Sequence, residues 1–313
     1  ELLSAWTWSD HFNLVNEINS LLEKLEDSNY GDLSEELVLR CLAAVVLGKI
    51  DADELVDVAP NDLVGGMAKL QQAVFAAVDF LEKELRIKNI VFVPFPIMFV
   101  PLVGFFSRNL KPTAAQLVAI KRWFWHCAFT QKYKAGTNTA VLEDLKKMEQ
   151  LVVDNTVFDG LTAKVDVDLF KKTWRINSTA AKAAICMLAQ KEPRSFLNGA
   201  LVDLGTAMSA YNAREFHHIY PKAHLATQSI LFHQSNIIAN ICLLSSSDNR
   251  TISDASPVIY MPNIPAAQKG QIADGALIPR DMFDGTKSYT DFVTARAALL
   301  AATAESLIHE GSP

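Results

Sequence analysis

Residues 90–106 read IVFVPFPIMFVPLVGFF, and no other stretch limits the possible folds as strongly. The run is apolar enough to enter a membrane, but Pro94, Pro96 and Pro101 each remove a backbone donor and would break a spanning helix repeatedly. A segment that suits neither water nor a single membrane helix belongs buried and kinked between other elements. Such burial needs a large core, which 313 residues with 50% hydrophobic content can supply. The composition therefore predicts a globular, cytoplasmic protein with no membrane partner.

The neighbouring sequence predicts helices to surround that segment. Leu14, Ile18, Leu21, Leu22 and Leu25 form an apolar stripe after a capping candidate at Asp10, and Leu37, Leu39, Leu42, Val45 and Val46 form another after Ser34. Residues 61–86 continue the pattern, with Gly65 and Gly66 marking a kink or a close contact. A further helix starts near Pro112, and one more starts at Thr137 or Asn138. Within KRWFWHCAF, residues 121–129, basic and aromatic residues alternate as a single-strand stacking platform would, but the helical spacing favours a core anchor, leaving Lys132 and Lys134 as a basic edge.

The fold expected is mainly α with a small embedded α+β element. Residues 1–190 form the helical domain and residues 191–313 a second domain. In the second, EPRSFLNGALVDL, REFHHIYP and NICLLSS read as short strands and SDNRTISDA as a short helix. A terminal helix then packs through Phe292, Ala295, Leu299 and Ala302. Cys41, Cys127, Cys186 and Cys242 lie far apart in apolar contexts and read as reduced core residues, with no zinc knuckle. The net charge of −6 gives no global basic signature, so a nucleic-acid partner would need a local patch or a metal ion. The chain opens at Glu1 without an initiator Met, as a piece of a longer protein would.

Residues 215–225, EFHHIYPKAHL, place two of only seven histidines side by side before a turn. Adjacent strand side chains point to opposite faces, so His217 and His218 cannot share one core environment. Asn240 and Asn249 follow, separated by an apolar strand-like run and a turn, and a strand, strand, helix unit would gather all four residues. His224 and His233 fit no ligand spacing and read as surface or lining residues.

The order H-H-I-x-P, N-x-x-L-L-x-x-x-x-N-R resembles the HNH (His-Me finger, ββα-metal) nucleases, and N-R-x-x-S-D is similar to the HNH domain of RNA-guided DNA nucleases. Over a longer span, SAWTWSDHF, KRWFWHCAF with QKY, and the histidine block resemble the C-terminal half of GmrSD-type proteins, which act in restriction of modified or foreign DNA. The resemblance implies a helical domain followed by a ββα-metal nuclease domain acting on DNA. It also implies an upstream nucleotide-handling domain, for which this sequence holds no phosphate-binding loop.

By the same resemblance His218 is the general base, and His217 and Asn249 hold one divalent metal ion. Asn240 braces the loop or orients the base. Lys222 and Arg250 are candidates for phosphate contacts. Many members carry Asp where this chain has His217. An imidazole there favours manganese, nickel or cobalt at least as well as magnesium. Competing expectations are a catalytically silent DNA-binding or regulatory module and an RNA-directed nuclease. A single cutting centre nicks one strand, and a homo-oligomer would permit double-strand cuts.

Overall fold

The computed structural model describes residues 12–208 and 216–312. The expected Asp10 cap, the SAWTWSDHF stretch up to His11, and Arg214 and Glu215 of the expected strand lie outside them. Within the described residues the protein is mainly helical, with a single two-stranded sheet.

Helix α1 (Leu14–Lys24) begins at Asn13, whose side chain accepts from the Val15 and Asn16 amides, and it buries Leu14, Ile18 and Leu21. Helix α2 (Glu35–Leu47) starts at Ser34, whose hydroxyl accepts the Leu37 amide as the sequence predicts. Its buried face differs from the expected one. Val38, Cys41, Ala43 and Ala44 are buried beside Leu37 and Leu42, while Leu39, Val45 and Val46 are only partly covered. Two neighbours pack on α2, namely α3 (Pro60–Lys83) and α4 (Phe99–Phe106), so small residues between the large ones are covered as well.

No kink is recorded at the glycine pair, since α3 runs unbroken through it. Gly66 is the close contact. A Cβ there would meet Val46 Cγ2 at 2.4 Å, whereas one at Gly65 would meet nothing.

The proline-rich segment is largely buried as expected, with Pro96 exposed at its turn. Residues Ile90–Phe92 and Pro96–Met98 make single 3-10 turns, and all eight residues of α4 are buried. Pro101 sits in the first turn of α4, where a backbone donor has no helical acceptor to lose. Among the described residues no helix is long and apolar enough to cross a membrane.

Helix α5 (Ala114–Thr130) opens with a Thr113–Gln116 capping box and buries Trp123, Phe124, Trp125 and Cys127. The aromatic run is therefore core. Helix α6 (Thr137–Leu151) begins after Gly136 in the left-handed region, so neither Thr137 nor Asn138 is the cap. Lys132 is not a free basic edge, because its ammonium meets the buried Asp144 carboxylate at 2.5 Å. Helix α7 (Thr179–Gln190) packs against the turn at Ile90–Phe92.

The first expected strand, in residues 192–204, is not formed. Arg194 and Leu201 make one isolated bridge around a turn, in which Gly199 has a positive φ of 71°. The short α8 (Leu204–Ala207) follows. The other two strands are present as β1 (Phe216–His218) and β2 (Ile241–Leu243), antiparallel, with His217 opposite Cys242 and His218 opposite Ile241. Between them lie α9 (Lys222–Thr227) and α10 (Phe232–Ser235). After β2 come α11 (Ser246–Ile252), α12 (Pro257–Tyr260) and α13 (Lys269–Gly275).

The terminal helix α14 (Tyr289–Glu310) runs along α5, back into the helical region. Phe292 is buried as predicted, but Ala302 is exposed, and the face turns toward Val293, Arg296, Ala297, Leu300 and Ala301. An apolar stripe leaves out Arg296, yet its guanidinium is fully buried and donates to the carbonyls of Ala239, Ile241, Ala276 and Leu277. That cation joins α14 to both sides of Asn240. All four cysteines are buried and unpaired with one another.

Candidate active site

The strands are short, so their placement depends on what flanks them. Phe216 packs on Phe92 and Trp174, with ring centroids 6.0 and 5.3 Å apart, which seats β1 on the helical core. Residues 170–174 run beside 236–239 through hydrogen bonds from the Ile238 amide to the Lys172 carbonyl and from the Ala239 amide to the Phe170 carbonyl. Helix α11 is held by the buried Asp248, whose carboxylate accepts from the Ser195 hydroxyl at 2.8 Å and the Phe196 amide at 3.1 Å. The turn once expected as a strand thus anchors the helix that carries Asn249.

Five residues predicted from sequence gather here. His217, His218 and Asn249 line one cleft of about 510 Å³, together with Trp174, Lys222 and Asn236. Both histidines line it although they alternate along β1. Asn240 is fully buried behind the cleft. Its amide donates to the carbonyls of Tyr220 and Ser235, and its oxygen accepts the Tyr220 amide at 2.8 Å. Asn240 braces the loop, and the partner of the His218 ring is another residue.

That partner is Asn236, whose Oδ1 accepts from His218 Nε2 at 2.9 Å. Nothing in the sequence singles out Asn236, which precedes an apolar run without any motif spacing. Asp254 also lines the cleft. It is the last residue of the N-R-x-x-S-D stretch, a signal that the sequence did contain.

Lys222 lines the cleft with its ammonium 5.4 Å from the exposed Phe232 ring. Arg250 is not among the lining residues and donates to the Ser246 carbonyl of its own helix. His233 is exposed, and His224 stands against Ser256 and Gln228 outside the cleft lining. Asn249 lies inside α11, and the helix cap is Ser245.

Burial sets the charge of both rings. It pushes His218 from an ordinary 6.5 down to about 4. The Asn236 bond opposes that shift, while Lys222 and His217 add to it. His217 is also lowered by burial, against the Asn249 bond and the Asp248 charge. Both rings are neutral near pH 7, the state in which an imidazole accepts a proton or binds a metal.

His217 Nδ1 meets Asn249 Oδ1 at 2.5 Å, and His217 Nε2 is buried without a hydrogen-bond partner. The pair offers one nitrogen and one amide oxygen, a donor set suited to a divalent transition metal. Two ligands of one octahedral ion stand about 3.0 Å apart, so the pair would have to spread by about half an ångström. Among the described residues no three or more His, Cys, Asp or Glu converge on a common point.

No family model matches the chain. Among curated proteins, an uncharacterized protein of Methanocaldococcus jannaschii is 20% identical over 258 residues. The match covers 76% of this chain and 41% of that protein, so the chain spans well under two thirds of the relative's length.

Proposed function

We propose that this chain is a metal-dependent phosphodiester hydrolase of the HNH type that nicks DNA, with a ββα-metal unit built from β1, β2 and α11. The observation that carries the reading is the shared cleft of His217, His218 and Asn249, in which His218 is only partly buried. His218 takes a proton from water as the water oxygen attacks phosphorus, and the 3′-oxygen leaves with the bonding pair and takes a proton from solvent. Asn240 keeps the loop that follows His218 in place through its three buried hydrogen bonds. Lys222 meets a nonbridging phosphate oxygen at the cleft wall.

His217 Nδ1 and Asn249 Oδ1 would hold one divalent ion, which supplies charge neutralisation at the phosphate when bound. Manganese, nickel or cobalt suits that pair at least as well as magnesium. The setting in restriction of foreign or modified DNA, with an upstream nucleotide-handling domain, rests on the resemblance to GmrSD-type proteins.

A second reading is favoured by the closed His217–Asn249 contact and the unpartnered Nε2. In it the same unit is a catalytically silent DNA-binding or regulatory module. Supercoiled-plasmid cleavage by the chain and by His218→Ala, with manganese, magnesium, nickel or EDTA, separates the two. Metal-dependent nicking that falls at least about a hundredfold in the variant supports the nuclease. Tight plasmid binding without cleavage under every metal supports the silent module.

A further inference from the structure

We propose that Asn236 is the positioning residue that fixes the tautomer of His218 and so decides which ring nitrogen faces the cleft, an inference that rests on the nuclease reading for its use. The amide of Asn236 is pinned from two directions. Its Nδ2 donates to the Trp174 carbonyl at 3.2 Å, and its backbone carbonyl accepts the Trp174 amide at 2.8 Å. The antiparallel bridge between Thr173 and Ile237 extends that pairing by one residue. A flipped amide would set Oδ1 against the Trp174 carbonyl, oxygen against oxygen, and Nδ2 toward the ring. The unflipped amide presents Oδ1 to His218 at 2.9 Å.

An amide oxygen only accepts, so the ring nitrogen facing it must carry the hydrogen. A neutral imidazole has one N–H. With that hydrogen on Nε2, the lone pair lies on Nδ1, for which no protein hydrogen bond is recorded among the described residues and which belongs to a ring lining the cleft.

His217 provides the contrast within two adjacent residues. Its Nδ1 donates to Asn249, which leaves its lone pair on the buried Nε2. In the ion-free chain the neighbours are held in opposite tautomers, and His218 Nδ1 is the basic nitrogen that the cleft leaves for water. Substrate water therefore meets His218 Nδ1, and Asn236 acts on the reaction through that ring without touching the reacting atoms.

Nitrogen-15 NMR of the full chain, with the His218 ring assigned by His218→Gln, reads the tautomer directly. The wild type is expected to show His218 with Nε2 protonated, Asn236→Ala a mixture of tautomers, and Asn236→Asp, which keeps an acceptor toward the ring but sets its other oxygen against the Trp174 carbonyl, the wild-type form in a less stable protein. In plasmid nicking Asn236→Ala should lower kcat about 10- to 100-fold with KM within about twofold, and Asn236→Asp should recover most of the loss. Should Asn236→Ala fail to fold, the wild-type spectrum and Asn236→Asp still decide. A His218 with Nδ1 protonated in the wild type, or an Asn236→Ala protein with unchanged tautomer and rate, overturns the proposal. A wild type that shows the expected tautomer but cuts no DNA overturns the nuclease reading and leaves the tautomer assignment standing.

Discussion

In α4 all eight residues are apolar and buried, whereas at the cleft the buried His217 keeps a ring nitrogen without a partner. The first arrangement gains free energy from nearly every group it removes from water, about 1.5–3 kcal/mol for each large side chain. The second spends part of that gain, because an unpaired buried polar atom costs about 1–3 kcal/mol. The difference teaches that the helical region stabilises the chain and holds the cleft, while the cleft keeps a polar group at a cost in stability. Changes in the two regions should then separate stability from activity.

The largest effect on stability is expected from Phe105→Ala, which empties the centre of α4. Unfolding in urea should show a loss of about 3–5 kcal/mol, with nicking per folded molecule unchanged. A matching fall in kcat would show that core and cleft are not separable. Next comes Arg296→Met, which removes a buried cation and leaves the carbonyls of Ala239, Ile241, Ala276 and Leu277 without their donor. We expect a loss of about 3 kcal/mol in the same assay, together with weaker nicking, since two of those carbonyls flank Asn240. A stability loss with wild-type kcat would place Arg296 wholly on the core side of the comparison.

A pH effect reaches the cleft through His218, while burial lowers His126 in the helical region in the same direction. His218 is held at about 4 in the folded chain against an ordinary 6.5, so the unfolded chain binds its proton first as pH falls. Its contribution is complete above pH 6.5 and is lost between 6.5 and 4, amounting to at most about 3 kcal/mol. His217 shifts the same way. In EDTA, the wild type should lose more stability than His218→Gln across that window. Parallel curves for the two proteins would show that burial does not govern the ring.

The sequence made one side of this comparison much more legible than the other. The three prolines of residues 90–106 and the Ser34 cap act locally, and each leads to the observed element. The order of His217, His218, Asn240 and Asn249 is legible because the strand, turn and helix that join them are short. Asn236 was not, because its meaning comes from Trp174, 62 positions away. Arg296 was missed for a related reason, since an apolar-stripe argument excludes a charged residue that carbonyls from distant segments satisfy. The strand expected in residues 192–204 failed because its polar turn is occupied with holding Asp248.

The smallest expected effect sharpens the comparison at its most unfavourable atom. For His217 to bind a metal through Nδ1, its hydrogen must move to Nε2, which is buried without an acceptor. The cleft therefore charges part of the binding energy to that nitrogen, and affinity is expected to be weak. His217→Asp removes the obstacle, because a carboxylate needs no proton transfer near neutral pH and offers the oxygen that magnesium prefers. Calorimetric titration of the full chain should show magnesium binding at least about tenfold tighter in the variant, about 1.4 kcal/mol. Unchanged magnesium affinity would mean that position 217 does not face the ion, and the two-ligand site would have to be abandoned even if the chain cuts DNA.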